Sequence, residues 1–353
     1  MSRYLSKRLE DLEEYVPGEQ PRDKKYIKLN TNESPFPPSP AVYEVLSRSA
    51  ADNLRLYSDP CCTSLTETLC GVYGLKPENV VFGNGSDEIL SFAFTAFCDS
   101  DTPAVFADIT YGFYKVFAAL NCIPFRQIPL KSDFSICPED YINAGGTIFI
   151  ANPNAPTGLI LTESEIRRIL EGNPDNVVVI DEAYIDFGGQ SMLPLIGEYK
   201  NLLIVQTFSK SRSLAGARLG FAAGCPELIA DLQKIRNSNN PYNINRLTQA
   251  LGEAVLKDNE YFIKCTSEII KNRTYMTDGL KSLGFSVIPS SANFVFAKHE
   301  AYDGGMLYRA LKNKGVLVRH FDAPRISQYN RITVGSKAEA DALLKAADEI
   351  LRM

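Results

Sequence analysis

Five short stretches that are apolar almost throughout recur between positions 79 and 205: Asn79-Val80-Val81-Phe82, Pro103-Ala104-Val105-Phe106-Ala107, Thr147-Ile148-Phe149-Ile150-Ala151, Asn176-Val177-Val178-Val179-Ile180 and Leu202-Leu203-Ile204-Val205. A strand with one wet face alternates apolar and polar residues. These do not alternate, so they read as strands buried on both faces. Helical stretches separate them, and strands alternating with helices from about 79 to 224 predict a parallel α/β sheet wrapped on both sides. With 353 residues, 45% of them apolar and 22% charged, the chain can bury a large core and divide into two domains.

In such a sheet, ligands gather beyond the carboxyl ends of the strands, so the residues just past each run carry the functional information. Gly83-Asn84-Gly85-Ser86-Asp87-Glu88 is a glycine turn opening a helix, where free N–H groups make an anion site; an ordinary capped turn is the plainer reading. Tyr111 follows the second run and can stack on a flat heteroaromatic ring or simply join the core. Asn152-Pro153-Asn154-Ala155-Pro156-Thr157-Gly158 is a turn that cannot be helix, and a helix over 162–171 follows with Thr162 and Glu165 in capping-box spacing. Asp181, directly after the fourth run, is a costly carboxylate unless a cation faces it or it caps the next turn. Beyond the fifth run come Ser209-Lys210-Ser211 and Arg218. An ammonium at a buried strand end loses hydration, which favours the neutral amine, a nucleophile toward carbonyls; an isolated lysine there can equally snorkel to solvent.

Ser86, Asn154, Asp181, Tyr184 and Lys210 thus share one position in the architecture. An anion cradle, an aromatic stacker, a buried carboxylate, a phenol and a desolvated lysine together suit pyridoxal 5′-phosphate. The motifs Asn-Pro-Asn-Ala-Pro-Thr-Gly at 152–158, Asp-Glu-Ala-Tyr at 181–184, Ser-Lys-Ser at 209–211 with Arg218, and Arg-Ile-Thr-Val-Gly at 331–335 resemble the class II aminotransferases of fold type I. The resemblance runs from Leu29-Asn30-Thr31-Asn32-Glu33 to Gly335. It implies an α/β protein of the pyridoxal-phosphate-dependent transferase fold type I, with a large, mainly parallel sheet domain and a smaller α+β domain.

Residue by residue, the resemblance implies Lys210 as the lysine that condenses with the cofactor aldehyde and shuttles protons. Asp181 would face the ring nitrogen, Tyr184 the ring hydroxyl, and Tyr111 the ring plane. The phosphate would be held by Ser86, Asp87, Ser209 and Arg218, with Tyr57 arriving from the other subunit of a homodimer. Arg319 and Arg331 would grip the substrate's anionic end, with Tyr15 and Asn32 beside them. One departure stands out: the family usually has asparagine immediately before Pro-Thr-Gly, and this chain has Ala155, which leaves Asn154 or Asn152 to reach the ring hydroxyl. The implied reaction moves an amino group from a phosphorylated amine to a 2-oxo acid, 2-oxoglutarate.

The remaining segments are read around that core. Residues 1–40 form an arm, with a short helix over 5–14 and the proline-rich stretch Asn30 to Pro40, which covers a cleft or merely crosses the surface. Residues 41–244 form the large domain, and 245–353 the small one. The small domain is entered by a long helix over about 245–283 and has strands at 285–288 and 294–297 and helices near 304–314 and 337–352. The arm is expected to pack on it.

Composition excludes other classes. A net charge of −5 argues against nucleic acid or an anionic membrane surface as partner. The absence of an apolar run near 18 residues and of a signal-like start leads to a cytoplasmic expectation. Eight cysteines without a CxxC pair read as reduced thiols, and His299 and His320 have no ligand-spaced companion, so no metal is expected. Three alternatives stay open. One is a relative that decarboxylates a phosphorylated threonine or transaminates aromatic amino acids. A second is a nucleotide-binding module using Gly83-Asn84-Gly85, although that segment is not GxGxxG. The third is a non-catalytic interaction protein on the same scaffold.

Overall fold

A computed structural model describes residues 4–10, 12–46 and 48–352. In chain order its strands are β1 Ile27–Lys28, β2 Val80–Gly83, β3 Ala104–Ala107, β4 Phe125–Ile128, β5 Thr147–Ala151, β6 Val178–Asp181, β7 Leu202–Thr207, β8 Gly220–Gly224, β9 Phe285–Ile288, β10 Phe294–His299, β11 Val316–Leu317, β12 Arg319–His320 and β13 Asn330–Thr333.

Seven of these strands make the main sheet, in the order β2-β8-β7-β6-β5-β3-β4. Its pairs are parallel except where β8 runs antiparallel between β2 and β7. Alternate side chains feed two separate cores. Phe82, Val105, Ile148, Ile180 and Ile204 fill one, and Val81, Phe106, Phe149, Val179 and Val205 fill the other. That double burial is why the runs are unbroken: a polar residue at any position would lie in one core or the other. Each such side chain contributes about 1.5–3 kcal/mol by leaving water, and truncating Phe149, stacked on Phe94 at 4.0 Å, would cost about 3–5 kcal/mol.

The smaller sheet is antiparallel, in the order β12-β13-β10-β9. Helices Asn259–Ser282, Gly304–Asn313 and Lys337–Leu351 pack on it around Ile269, Met276, Leu307, Ile332 and Leu343. The amino-terminal stretch is sewn to this unit. β1 pairs in parallel with β11, Thr333 N donates to Leu29 O at 2.9 Å, and Glu19 accepts from both Tyr308 and Lys312.

The structure departs from the sequence reading in several elements. The long helix over 245–283 is two helices, Arg246–Lys257 and Asn259–Ser282. Asp258 parts them because its carboxylate accepts from Tyr261 N and from Ser39 Oγ, competing with the backbone ladder. In the arm, the expected helix over 5–14 is a 3-10 turn at Lys7–Leu9, and Asp11 lies outside the described residues. Strands β4 and β8 have no counterpart in the sequence reading. β4 is an edge strand with exposed Phe125 and Arg126, and β8 is built of glycine and alanine around Phe221, so neither has a continuous bulky run.

Candidate active site

At the carboxyl end of β2 the chain turns through Gly85, at φ +84°, into helix Ser86–Phe97, whose first N–H groups have no side-chain cap. Gly220, the first residue of β8, lies against this turn: a Cβ there would stand 2.5 Å from Ser86 N and 2.7 Å from Gly85 C. Only glycine lets the two backbones approach so closely and leaves the helix end open. Arg218 sits over the opening. Its guanidinium donates to Asp87 Oδ2 at 3.0 Å and to Ser209 Oγ at 3.3 Å, and Tyr111 OH donates to the other oxygen of Asp87 at 2.7 Å. Helix dipole, guanidinium and hydroxyl converge as an anion cradle.

Asp181 closes β6 and is 5% exposed. Burial pushes its pKa up to about 7, further raised by Asp87, while an N–H of Ala183 (3.1 Å), the hydroxyl of Tyr114 (3.2 Å) and the Lys210 ammonium across the pocket pull it down. The next residue, Glu182, turns toward the opposite core. There it accepts from Met192 N, Ser191 Oγ and Gln206 Nε2 at 2.6, 2.6 and 2.8 Å, and burial likewise lifts it to about 7. A buried carboxylate held near 7 with one side toward a pocket suits a cationic ligand group, which would restore its charge.

Lys210 lies three residues beyond β7, half-buried, with Nζ donating to Thr31 O at 3.3 Å and standing 5.7 Å over the Tyr184 ring. Tyr184 meets Phe294 edge-on at 5.1 Å and its hydroxyl accepts from Asn32 Nδ2 at 3.1 Å. Farther out, Arg331 donates through Nη2 to Asn30 O at 3.1 Å, while its buried Nε has no partner. Burial lowers its pKa, and Tyr184, Tyr15 and Tyr111 are near enough to raise it electrostatically. Tyr15 stacks on Phe113 at 4.3 Å, so the arm lies across the mouth of the pocket.

Several expected site residues have partners of their own within the chain. Asn154 is turned away from the pocket: both its N–H bonds are used, on Ile109 O (3.0 Å) and Thr157 Oγ1 (3.1 Å), and its oxygen accepts from Thr110 (2.8 Å). Asn152 cannot replace it, since its side chain brackets Leu161, accepting from the N–H at 2.7 Å and donating to the carbonyl at 3.4 Å. Asn32 is engaged by Tyr184 and Thr333. Arg319 holds the arm, donating to Pro17 O at 3.1 Å and Val16 O at 3.0 Å. Tyr57, expected to serve the other subunit, is 78% exposed and stacked on Tyr242 at 4.5 Å. Ala155, 5% exposed, packs with Ala292 and Phe294 behind Tyr184.

Two participants escaped the sequence reading. Tyr114, on Asp181, is one helical turn after Tyr111, and a phenol inside an apolar helix face is the signal that could have found it. Thr333 lies within the arginine motif at 331–335 and its partner is 301 positions away, which no local pattern reveals.

The donor set fits pyridoxal phosphate: an anion cradle built by Gly220 and Arg218, the phenols of Tyr111 and Tyr184, the buried carboxylate of Asp181, and the Lys210 amine near enough to that carboxylate to act on it electrostatically. Residues 24–347 match the model of aminotransferase class I and II, and the chain belongs to that family. Within it, the chain is 48% identical over 351 residues to histidinol-phosphate aminotransferase of Clostridium botulinum (strain Kyoto / Type A2), covering 99% of each. It is 47% identical to the same-named protein of Clostridium acetobutylicum, covering 99% of this chain and all of that one. The crystal structure of histidinol-phosphate aminotransferase from Sinorhizobium meliloti in complex with pyridoxal-5′-phosphate superposes with a TM-score of 0.85, at 26% identity over 93% of this chain and 92% of that one.

Proposed function

We propose that this chain is a pyridoxal-phosphate-dependent transaminase that moves the amino group of L-histidinol phosphate to 2-oxoglutarate, a step of histidine biosynthesis. The observation that carries the reading is a buried carboxylate, Asp181, within electrostatic reach of the Lys210 amine, with the anion cradle of Arg218 and the Ser86 turn beside Asp87. Ser86 and Asp87 through their N–H groups, and Ser209 and Arg218 through their side chains, would hold the cofactor phosphate. Tyr111 would cover the ring, Asp181 would pair with its protonated nitrogen, and Tyr184 would donate to its hydroxyl. When bound, pyridoxal phosphate supplies an aldehyde that condenses with amines and a ring that withdraws electrons from the α-carbon.

The protein's part is positioning and proton movement. Lys210 takes the proton from the donor's α-carbon and later returns one, acting as base and then acid. Asp181, kept out of water, holds positive charge on the ring nitrogen, where a low-dielectric setting strengthens the pair. Arg331, with an N–H to spare, would present its guanidinium to the donor phosphate or the acceptor carboxylate, Arg319 would add positive charge beside it while holding the arm, and Tyr15 would close the mouth.

The same reading assigns residues 1–40 to an arm, 41–244 to a cofactor-binding domain and 245–353 to a smaller domain. It makes the chain a homodimer whose second subunit lends Tyr57. In support, Tyr43, Leu46, Leu54, Leu56 and Tyr57 are all more than two-fifths exposed on one stretch of chain, an apolar surface that association would cover. No helix among the described residues is long and apolar enough to cross a membrane, and all eight cysteines are free, which fits a reducing cytoplasm. An assay of the purified protein with histidinol phosphate, phenylalanine and phosphothreonine tests the assignment. Transfer to 2-oxoglutarate from histidinol phosphate is expected to exceed that from phenylalanine, which has no phosphate, by at least about tenfold in kcat/KM, the value of a charge-assisted contact. Carbon dioxide release from phosphothreonine, or preference for phenylalanine, would overturn the substrate.

A further inference from the structure

Along the chain from Thr333 through Asn32 to Tyr184 each hydrogen bond has a forced direction. Asn32 N–H donates to Thr333 Oγ1 at 3.0 Å, so the threonine proton must go elsewhere, and it goes to Asn32 Oδ1, also at 3.0 Å. That contact fixes the amide: oxygen toward Thr333, nitrogen toward Tyr184. Nδ2 carries only hydrogens, so at 3.1 Å the phenol oxygen must accept. The backbone supports the arrangement, since Asn32 O accepts from Asn293 Nδ2 at 2.9 Å and Asn32 sits at φ +56°, a conformation that asparagine tolerates and most residues do not. Accepting from Asn32, Tyr184 keeps one proton to give, and Asn32 itself offers it no acceptor, since its Oδ1 faces Thr333.

Ala155 gives this direction its weight. The position beside Tyr184 that offers no amide is alanine packed on Ala292 and Phe294, and the neighbouring amides of Asn152 and Asn154 are spent elsewhere. Tyr184 therefore stands without a second protein donor from this turn. We infer that Asn32 and Thr333 are positioning residues that fix the direction in which Tyr184 gives its proton, toward the ring oxygen of the cofactor and not toward the arm. The inference rests on the proposed cofactor assignment. It makes the oxygen's negative charge, and hence the acidity of the nitrogen at Lys210, depend on two residues that touch neither.

The test is a visible-absorbance pH titration of the purified protein loaded with pyridoxal phosphate, comparing wild type with Asn32→Asp, Asn32→Ala and Tyr184→Phe. A donor to the ring oxygen stabilises its negative charge and lowers the pH at which the adjacent nitrogen loses its proton. A carboxylate at 32 keeps the left-handed backbone but accepts the Tyr184 proton. Asn32→Asp is expected to raise the midpoint by about one unit, a tenfold change in proton affinity, matching Tyr184→Phe, whereas Asn32→Ala leaves Tyr184 free to donate and shifts it less. Where Asn32→Asp does not fold, Thr333→Val, which frees the amide to flip, is expected to raise the midpoint and Thr333→Ser to restore it. A midpoint that moves with Tyr184→Phe but not with Asn32→Asp or Thr333→Val overturns the relay and leaves the cofactor assignment standing. A wild-type protein that takes up no pyridoxal phosphate removes the proton's acceptor and overturns both.

Discussion

Asp181 shows what a single carboxylate contributes when its usual solvent is removed. Its folded pKa of about 7, like that of Glu182, exceeds the unfolded values near 3.8 and 4.5, so the folded state binds more protons between those limits. Stability from both groups is complete below about pH 4 and is lost as pH rises through about 7. In cofactor-free protein, Asp181→Asn is therefore expected to flatten the fall in melting temperature between pH 5 and 8, an effect on the order of a few kcal/mol at most, read by calorimetry. Adding cofactor should remove the Asp181 share of the wild-type trend, since a cation beside Asp181 returns its carboxylate, and leave the Glu182 share. Lys210→Ala is expected to abolish turnover and the lysine-linked visible band while cooperative unfolding persists; a variant that still transaminates at the wild-type rate contradicts the assignment. The placement of these residues was legible because each stands just past a buried strand. The bonds of Asn154 and Asn32 were not, because their partners come from 44 and 301 positions away.

Helices and strands differ in how much they announce. Capping residues were readable, and Thr162 with Glu165 forms the box their spacing suggests. Asp258 was not read as a stop because helical periodicity continues on both sides of it; only Ser39, from the arm side, makes its carboxylate worth keeping outside the ladder. Asp258→Ala is expected to lower stability by about 1–2 kcal/mol in urea unfolding, the usual value of a lost cap with a buried partner. β8 escaped notice because its residues are small, and smallness is its function: Gly220 admits the Ser86 turn. Gly220→Ala is expected to push that turn outward and weaken cofactor binding at least about tenfold, measured by absorbance titration, with little loss of secondary structure by circular dichroism.

Across the whole molecule the arm is the part that joins units otherwise remote in sequence. Glu19 anchors it to Tyr308 and Lys312, and Arg319 grips its carbonyls. Glu19→Ala is expected to raise KM for the phosphorylated donor several-fold with a smaller change in kcat, because it loosens the mouth and leaves Lys210 and Asp181 untouched. Parallel pairing of β1 with β11 also has a consequence for synthesis. Thr31, whose carbonyl accepts from the Lys210 amine, and Asn32, whose amide meets Tyr184, leave the ribosome long before Val316 and Leu317, which pair with the neighbouring β1, and before Thr333, which bonds Asn32. The main sheet has all its strands by residue 224 and can collapse while the arm is still unattached, so a nascent chain acquires its core long before it acquires a finished pocket.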